Sequence, residues 1–190
     1  MAIKLENLKI TQITDTFKDQ VCEILYFSKH NEPSQREQDR MWTALKRMPY
    51  DKFSCIKSPD GTIYLSGKTE DIEAKINGHH YNIGPYHVLI SKSSIMGKQL
   101  NPIHLIPDYD PKTSNRHLHH YGSIGGQPHP LLYEPRWCWA SIGPSYMSAL
   151  HDTDIVDMFR LLYIFLIRLD NNSPLCSAWK TEAMSHGVLL

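Results

Sequence analysis

Hydrophobic positions along this chain recur with two different periods, and the changes of period divide the chain into three parts. In residues 1–50 the period is helical, so we predict that this part is largely α-helical. The apolar positions of its first helix are Ile13, Phe17, Val21, Ile24, Leu25 and Tyr26. Ser34 and Glu37 are spaced as in a capping box, so we predict a second helix that begins there and ends near Met48.

Residues 52–91 instead alternate apolar and polar side chains, as half-buried strands do. The segments FSCIK, TIYLSGK, DIEAKI and YNIGPYHVLIS are each typical of a strand. SPDG supplies a turn after the first segment, and Asn77-Gly78 is a strong hairpin signal before the fourth. We therefore predict a four-stranded antiparallel meander, in which strands that are neighbours in sequence are neighbours in the sheet.

Regular patterning stops at Lys92, and residues 92–139 are rich in proline and glycine. They also contain large aromatic residues, among them Trp137 and Trp139, which is not typical of plain disorder. A loop of this length inside a compact domain is usually functional. We therefore predict that this segment forms a long active-site loop.

A broad apolar stripe then predicts a helix over residues 153–169 that packs on the sheet. Asp152 or Thr153 is the expected residue at its N-terminal cap. Two helices, a run of strands and a final helix make the predicted fold class α+β.

The charge balance narrows the classes of partner. The 190 residues include 20 Lys and Arg and 20 Asp and Glu, so the formal net charge is zero. This neutrality is not typical of general nucleic-acid binders or of proteins held on acidic membranes. The most apolar run, Met158 to Leu169, is too short to span a bilayer, and the first residues lack a signal-peptide pattern. We expect a cytoplasmic protein, with no nucleic acid and no membrane among its partners.

Cys138 is the leading candidate for chemistry. It lies in HPLLYEPRWCWASIGP, between two tryptophans and close to Arg136. A nucleophilic thiol needs access and stabilisation of its thiolate, and a neighbouring arginine supplies positive charge. The alternative is a small buried thiol, which is the commonest use of a free cysteine. Cys22 and Cys55 lie in apolar helical and strand patterns, and we predict that both are core residues.

Histidine is the residue type in clear excess, with 11 in the chain and most of them between His79 and His129. The set His117, His119, His120 and His129 precedes Cys138 and contains residue types that bind zinc. Its spacing matches no zinc signature, however. Two interpretations stay open, a zinc site or histidines that serve a cysteine site, and we predict the second, with no metal.

In the order of these elements the chain resembles the ubiquitin-conjugating-enzyme (UBC-like) family, and specifically its divergent prokaryotic members. The matching pieces are Ser34–Met48, Phe53–Ser91, the loop to Cys138, and Asp154–Leu169. The local features that carry the resemblance are His129-Pro130, Cys138-Trp139, Gly143-Pro144, LLYIFLIRL and NNSPLCSAW, in that order. Leu131 stands where eukaryotic members have an asparagine that stabilises the oxyanion.

The resemblance implies an N-terminal helical extension over residues 1–33 and a UBC-like domain over residues 34–190. The implied activity is that of a transferase without a cofactor. It carries a ubiquitin-like protein as a thioester on Cys138, and passes it from a cognate activating enzyme to an acceptor protein. His129 and His119 become candidates either for the base that accepts the incoming amine's proton or for groups that hold the loop.

The resemblance also assigns a docking face for the activating enzyme to the basic residues Arg36, Arg40 and Arg47 of the second helix. Two alternatives of other classes remain. One is a non-catalytic binding module of the same fold, which presents the ubiquitin-like partner without forming a thioester. The other is a zinc-binding protein that uses the loop histidines and Cys138 as ligands.

Overall fold

The computed structural model describes residues 11–76, 79–100, 103–107 and 142–167, with residues 73–84 and 106–107 described by their backbone alone. Within these ranges there are seven strands and five helices, so the fold is α+β, as predicted. The elements are, in order, β1 (Gln12–Ile13), α1 (Asp15–Lys29), α2 (Gln35–Lys46), β2 (Tyr50–Lys57), β3 (Ile63–Thr69), β4 (Ile72–Ile76), β5 (His79–Gly84), β6 (Tyr86–Ser91), α3 (Lys92–Gly97), β7 (Ile103–Pro107), α4 (Gly143–Asp152) and α5 (Ile155–Ile167).

The predicted four-stranded meander is wrong in both its strand count and its pairing. The structure has a five-stranded mixed sheet in the order β1–β2–β3–β6–β7, and a separate two-stranded sheet, β4–β5. β1 runs parallel to β2, whereas the other neighbouring strands are antiparallel. The chain leaves the main sheet after β3 and returns to it with β6, so β3 pairs with β6 rather than with β4.

The predicted fourth strand is in fact two strands, β5 and β6, in different sheets. Pro85 lies between them, and a proline has no N–H to donate to a ladder of hydrogen bonds. At the next residue, the Tyr86 N–H donates to Thr69 Oγ1 over 2.8 Å, and this bond fixes the start of β6 against the end of β3. The break at Pro85 therefore redirects the chain from one sheet to the other.

Helices α1 and α5 pack on the same face of the main sheet, around an aromatic junction formed by Phe17, Tyr50, Phe53, Gly67 and Phe159. The Phe53 ring on β2 lies 5.3 Å from the Phe17 ring on α1 and 5.1 Å from the Phe159 ring on α5. All four rings are fully buried. Tyr50 Oη donates a hydrogen bond to the Phe159 carbonyl oxygen over 2.9 Å, so polar and apolar contacts both join β2 to α5.

Two backbone features make room for this junction. The β2–β3 register shifts between Tyr50 and Lys52, which brings Tyr50 to the side of Phe53, with ring centroids 4.9 Å apart. Gly67 lies opposite Phe53 on β3. A Cβ atom at Gly67 would lie 2.8 Å from Tyr50 Cε1 and 3.0 Å from Phe159 Cε1, so only glycine fits without displacing a ring.

The two helices predicted before the strands are confirmed as α1 and α2. The capping box of α2 is present: the Glu37 N–H donates to Ser34 Oγ over 3.3 Å, and the Ser34 N–H donates to Glu37 Oε2 over 2.8 Å. The apolar pattern placed Ile13 in the first helix, but Ile13 belongs to β1 and Thr14 caps α1. Its pairing with β2 outweighs the local helical spacing.

The predicted C-terminal helix is confirmed as α5 over the described residues, but its cap is different. The Asp157 N–H donates to Asp154 Oδ1 over 2.9 Å, so Asp154 caps the helix rather than Asp152 or Thr153. Thr153 has a left-handed backbone and ends α4. The elements α3, β7 and α4 were not predicted, because each is short and has little periodicity of its own.

All five described helices contribute side chains to one hydrophobic core. Phe17, Val21 and Ile24 of α1 are fully buried in it, together with Leu45 of α2. The helix that lies within residues 1–33 is thus packed against the same core as the strands. The division into an extension and a domain at residue 33 stays a prediction.

Candidate functional site

The predicted site residues divide into two groups. Cys138, His129 and His119 lie outside the described residues, and so do His117 and His120. Arg36, Arg40 and Arg47 lie within them, on α2 and at its C-terminal cap. The described geometry therefore concerns the predicted docking face and the frame on either side of the Cys138 segment.

Arg36, Arg40 and Arg47 are all exposed and share one side of α2; we call them the arginine stripe. They are spaced by four and seven residues, close to whole helical turns, so the three side chains leave the helix in similar directions. Leu45, the buried residue of this helix, lies on the opposite side. The capping box at Ser34 fixes where the helix begins and hence which side faces outward.

The arginine stripe lines a shallow groove of about 660 Å³, together with Gln35, Asp39, Thr43 and Ala44. The Asp39 carboxylate accepts a hydrogen bond from Gln35 Nε2 over 2.9 Å. Within the described part of the chain, none of the three guanidinium groups forms an ion pair. Unpaired guanidinium groups offer planar pairs of donors that match carboxylates. This face of α2 is therefore suited to an acidic protein surface.

The two described cysteines are half-buried, so neither is the fully buried core residue that was predicted, although Cys55 packs against the core. Burial raises the pKa of the Cys22 thiol, and the Asp19 and Glu32 carboxylates add to that shift. Burial also raises the pKa of Cys55 to about 11, against the opposing effect of Lys92. Because the thiolate is the nucleophile, neither thiol is activated at neutral pH.

A second groove, which the sequence pattern did not predict, lies between α1 and α2. We call it the α1–α2 groove; its volume is about 340 Å³, and its lining residues are Cys22, Glu23, Tyr26, Glu32, Pro33 and Gln38. Tyr26 was counted with the apolar side of α1, yet it is 48% exposed. The signal was available in the sequence, because Tyr26 lies one residue beyond Leu25 and therefore about 100° further round the helix.

The elements that come before and after the Cys138 segment in the chain, β7 and α4, are both part of the described structure. β7 pairs with β6 in the main sheet, and α4 packs on α5. Gly143 and Pro144, which belong to the family resemblance, form the first turn of α4, where proline is favoured. Lys98 Nζ donates to the Leu150 carbonyl oxygen over 3.1 Å and to Thr153 Oγ1, and so ties the end of α3 to the end of α4.

No group of three or more residues suited to hold a metal ion occurs among the residues that the structure describes. The histidines proposed as zinc ligands all lie outside that set, so the zinc alternative is not tested by it. The helices in the described ranges include none with the length and apolar character needed to cross a bilayer.

Comparison with known proteins adds no relative. No protein-family model, no curated protein and no solved structure matches this chain.

Proposed function

We propose that this protein is a conjugating-enzyme-like transferase that carries a ubiquitin-like protein as a thioester on Cys138. The observation that carries the proposal is the order of features around that cysteine: His129-Pro130 before it, Trp139 next to it and Gly143-Pro144 after it. The architecture supports part of this order, since the capped helix α2 precedes β2 and the apolar helix α5 follows the strands and packs on the sheet.

The properties of the two described thiols support the assignment of the thioester to Cys138. Cys22 and Cys55 have raised pKa values, so a thioester is not expected on either of them. Cys138 follows Arg136 by two residues in the sequence, and a positive charge close to a thiol favours its thiolate. We therefore expect Cys138 to be more reactive than Cys22 and Cys55 at neutral pH.

The proposed reaction has two transfers. The Cys138 thiolate attacks the thioester carbonyl that joins the ubiquitin-like protein to the activating enzyme, and the activating enzyme's thiolate leaves. An amine of the acceptor then attacks the new thioester, loses a proton to a base, and displaces the Cys138 thiolate. His129 and His119 are the proposed bases, because an imidazole titrates near neutral pH.

The arginine stripe is the proposed docking face for the activating enzyme. Its three guanidinium groups lie on one exposed side of α2 and form no ion pair with any residue that the structure describes, and attraction between such a face and an acidic surface speeds association. The acidic surface would belong to the activating enzyme.

The test is a charging assay with ATP, the activating enzyme and the ubiquitin-like protein from the same cell. We expect an adduct that a thiol reductant removes in the wild-type protein. Cys138→Ala should abolish the adduct, and Cys138→Ser should form at most an oxygen ester that resists the reductant. Cys22→Ala and Cys55→Ala are the matched controls and should charge normally.

A reducible adduct on Cys138→Ser would overturn the assignment of that residue. Binding of the ubiquitin-like protein without any adduct would favour the non-catalytic binding module. Zinc bound stoichiometrically to protein purified without chelators or affinity histidines, and lost in Cys138→Ala, would favour the zinc protein.

A further inference from the structure

The α1–α2 groove combines an aromatic wall with negative charge. Tyr26 forms one wall, and Phe27 contacts the Tyr26 ring edge-on, with centroids 5.8 Å apart and planes at 77°. Phe27 is itself 52% exposed, so two neighbouring rings face solvent at the end of α1. Pro33 and Gln38 also line the groove, and the Pro33 carbonyl oxygen accepts a hydrogen bond from Gln38 Nε2 over 3.0 Å.

The charges around the groove are unevenly neutralised. The Glu23 carboxylate is held by Lys92 Nζ, 2.6 Å from its Oε2. Glu32 lines the groove and Asp19 lies within electrostatic reach of Cys22, and in the described part of the chain neither carboxylate has a hydrogen bond or ion pair. Lys29, the lysine closest to Glu32 in sequence, forms no ion pair with it in the described part of the chain. An excess of negative charge therefore remains at the groove.

We propose that the α1–α2 groove binds an arginine side chain presented by a basic segment of a partner protein. A guanidinium group stacks flat on an exposed tyrosine ring and donates paired hydrogen bonds to a carboxylate, and Tyr26 and Glu32 supply both partners in one groove. The groove volume of about 340 Å³ suits one such side chain. This binding is independent of the thioester chemistry proposed for Cys138.

Arginine is favoured over lysine on chemical grounds. An ammonium group is a compact, strongly hydrated point charge, whereas the guanidinium plane loses less hydration when it lies on a ring. The Cys22 thiol lies at the same groove. Burial raises its pKa most, and the negative charges of Asp19 and Glu32 raise it further.

The test uses a fluorescently labelled peptide that contains two arginines separated by an alanine, and fluorescence anisotropy with the full chain. Two further peptides replace arginine with citrulline, which keeps the shape without the charge, and with lysine. We expect the arginine peptide to bind, the lysine peptide to bind less tightly, and the citrulline peptide not to bind. Added salt should weaken the binding.

Variants locate the binding. Glu32→Gln should lower the affinity for the arginine peptide by about fivefold, since it removes one exposed ion pair. Tyr26→Leu should weaken it by about two- to fivefold, because the apolar bulk stays but the ring is lost. Asp71→Asn, an exposed carboxylate on the segment between β3 and β4, is the matched control and should bind as the wild type does.

Three results would overturn the proposal. The first is equal binding of the citrulline and arginine peptides. The second is equal affinity of Glu32→Gln and Asp71→Asn for the arginine peptide. The third is occupation of the groove by a second copy of this chain. Analytical ultracentrifugation would then show a dimer, and Arg36→Gln and Glu32→Gln would each dissociate it.

Discussion

Two regions of the molecule share helix α1 but differ in character. One is the aromatic junction, and the other is the outer surface formed by α1 and α2. At the junction, Phe17 of α1 is fully buried against rings from β2 and α5. On the outer side of the same helix, Tyr26 is half exposed in a groove that it shares with Glu32, whose carboxylate forms no ion pair in the described residues. Close packing specifies the first region and unpaired charge characterises the second. Substitutions should therefore change stability at the junction and binding at the surface.

The largest expected effect is that of Phe159→Ala at the junction. The ring contacts Phe17, Tyr50 and Phe53, and its removal leaves a cavity among rings held by α1 and β2. We expect a loss of about 3–5 kcal/mol in the free energy of unfolding, measured by denaturant titration. Ile167→Ala, on the same helix but 36% exposed, should lose far less. Equal losses would show that the junction is no more tightly packed than the helix end.

Gly67→Ala tests the same region by adding volume. The new Cβ would lie 2.8 Å from the Tyr50 ring and 3.0 Å from the Phe159 ring, so at least one ring must move. We expect a loss of about 1–3 kcal/mol in unfolding free energy. Gly97→Ala is the matched control, since the nearest side-chain atoms to a Cβ there belong to Gln99, at the ordinary contact distance of 3.7 Å. If both variants are equally stable, the junction has more free space than its distances indicate.

Tyr50→Phe removes one oxygen and should have a smaller effect that depends on pH. Near pH 7 the lost hydrogen bond to the Phe159 carbonyl should cost about 1 kcal/mol. Burial raises the pKa of Tyr50 well above its usual value, so above about pH 10 the unfolded chain loses this proton first. Folding stability is therefore complete below that pH and falls as the pH rises.

In Tyr50→Phe the decline at alkaline pH should be shallower by up to about 1.4 kcal/mol per pH unit. Tyr86 and Tyr146, whose pKa values burial also raises, keep part of the slope in the variant. Unfolding free energies at several pH values between 8 and 11 measure the difference. Tyr26→Phe, at an exposed tyrosine, is the control. An unchanged slope in Tyr50→Phe would mean that the buried phenol ionises as freely as in the unfolded chain.

The sequence predicted those parts of the fold that local interactions decide. The start of α2 follows from the side chains of Ser34 and Glu37, and α5 follows from its apolar stripe. The proline that breaks the strand is visible in the sequence, but the choice of sheet partners depends on residues far apart in the chain. The placement of β5 and β6 in different sheets was therefore not predicted. Ile13 was missed for the same reason, because its partner Phe53 is distant in sequence.

Those parts of the candidate site that lie on one regular helix could be predicted from the sequence, and the other parts could not. The arginine stripe follows from helical spacing once α2 is known. The α1–α2 groove depends on how the connection between the helices brings Glu32 and Pro33 beside Cys22 and Tyr26, which no local pattern contains. The assignment of Cys138 as the reactive residue depends on the order of sequence motifs alone, because Cys138 lies outside the described residues.

The smallest effect on stability is expected for the double variant Arg36→Gln/Arg40→Gln. Both side chains are exposed and neither forms an ion pair in the described residues, so the denaturant midpoint should be unchanged. If the arginine stripe docks the activating enzyme, thioester formation should slow by about fivefold, because two exposed ion pairs are lost. The control variant Lys52→Gln/Lys57→Gln removes two positive charges from exposed positions of β2, and it should form the thioester at the wild-type rate.

The replacement of the same arginines by lysine separates net charge from geometry. Arg36→Lys/Arg40→Lys keeps the attraction to an acidic surface but loses the paired donors of the guanidinium plane. Long-range attraction alone predicts a wild-type rate with the usual sensitivity to salt, whereas paired contacts predict a rate between those of the wild-type and the glutamine variant. A loss of stability in either double variant, comparable to that of Gly67→Ala, would contradict the comparison, since it would place the stripe in the packed frame rather than on a binding surface.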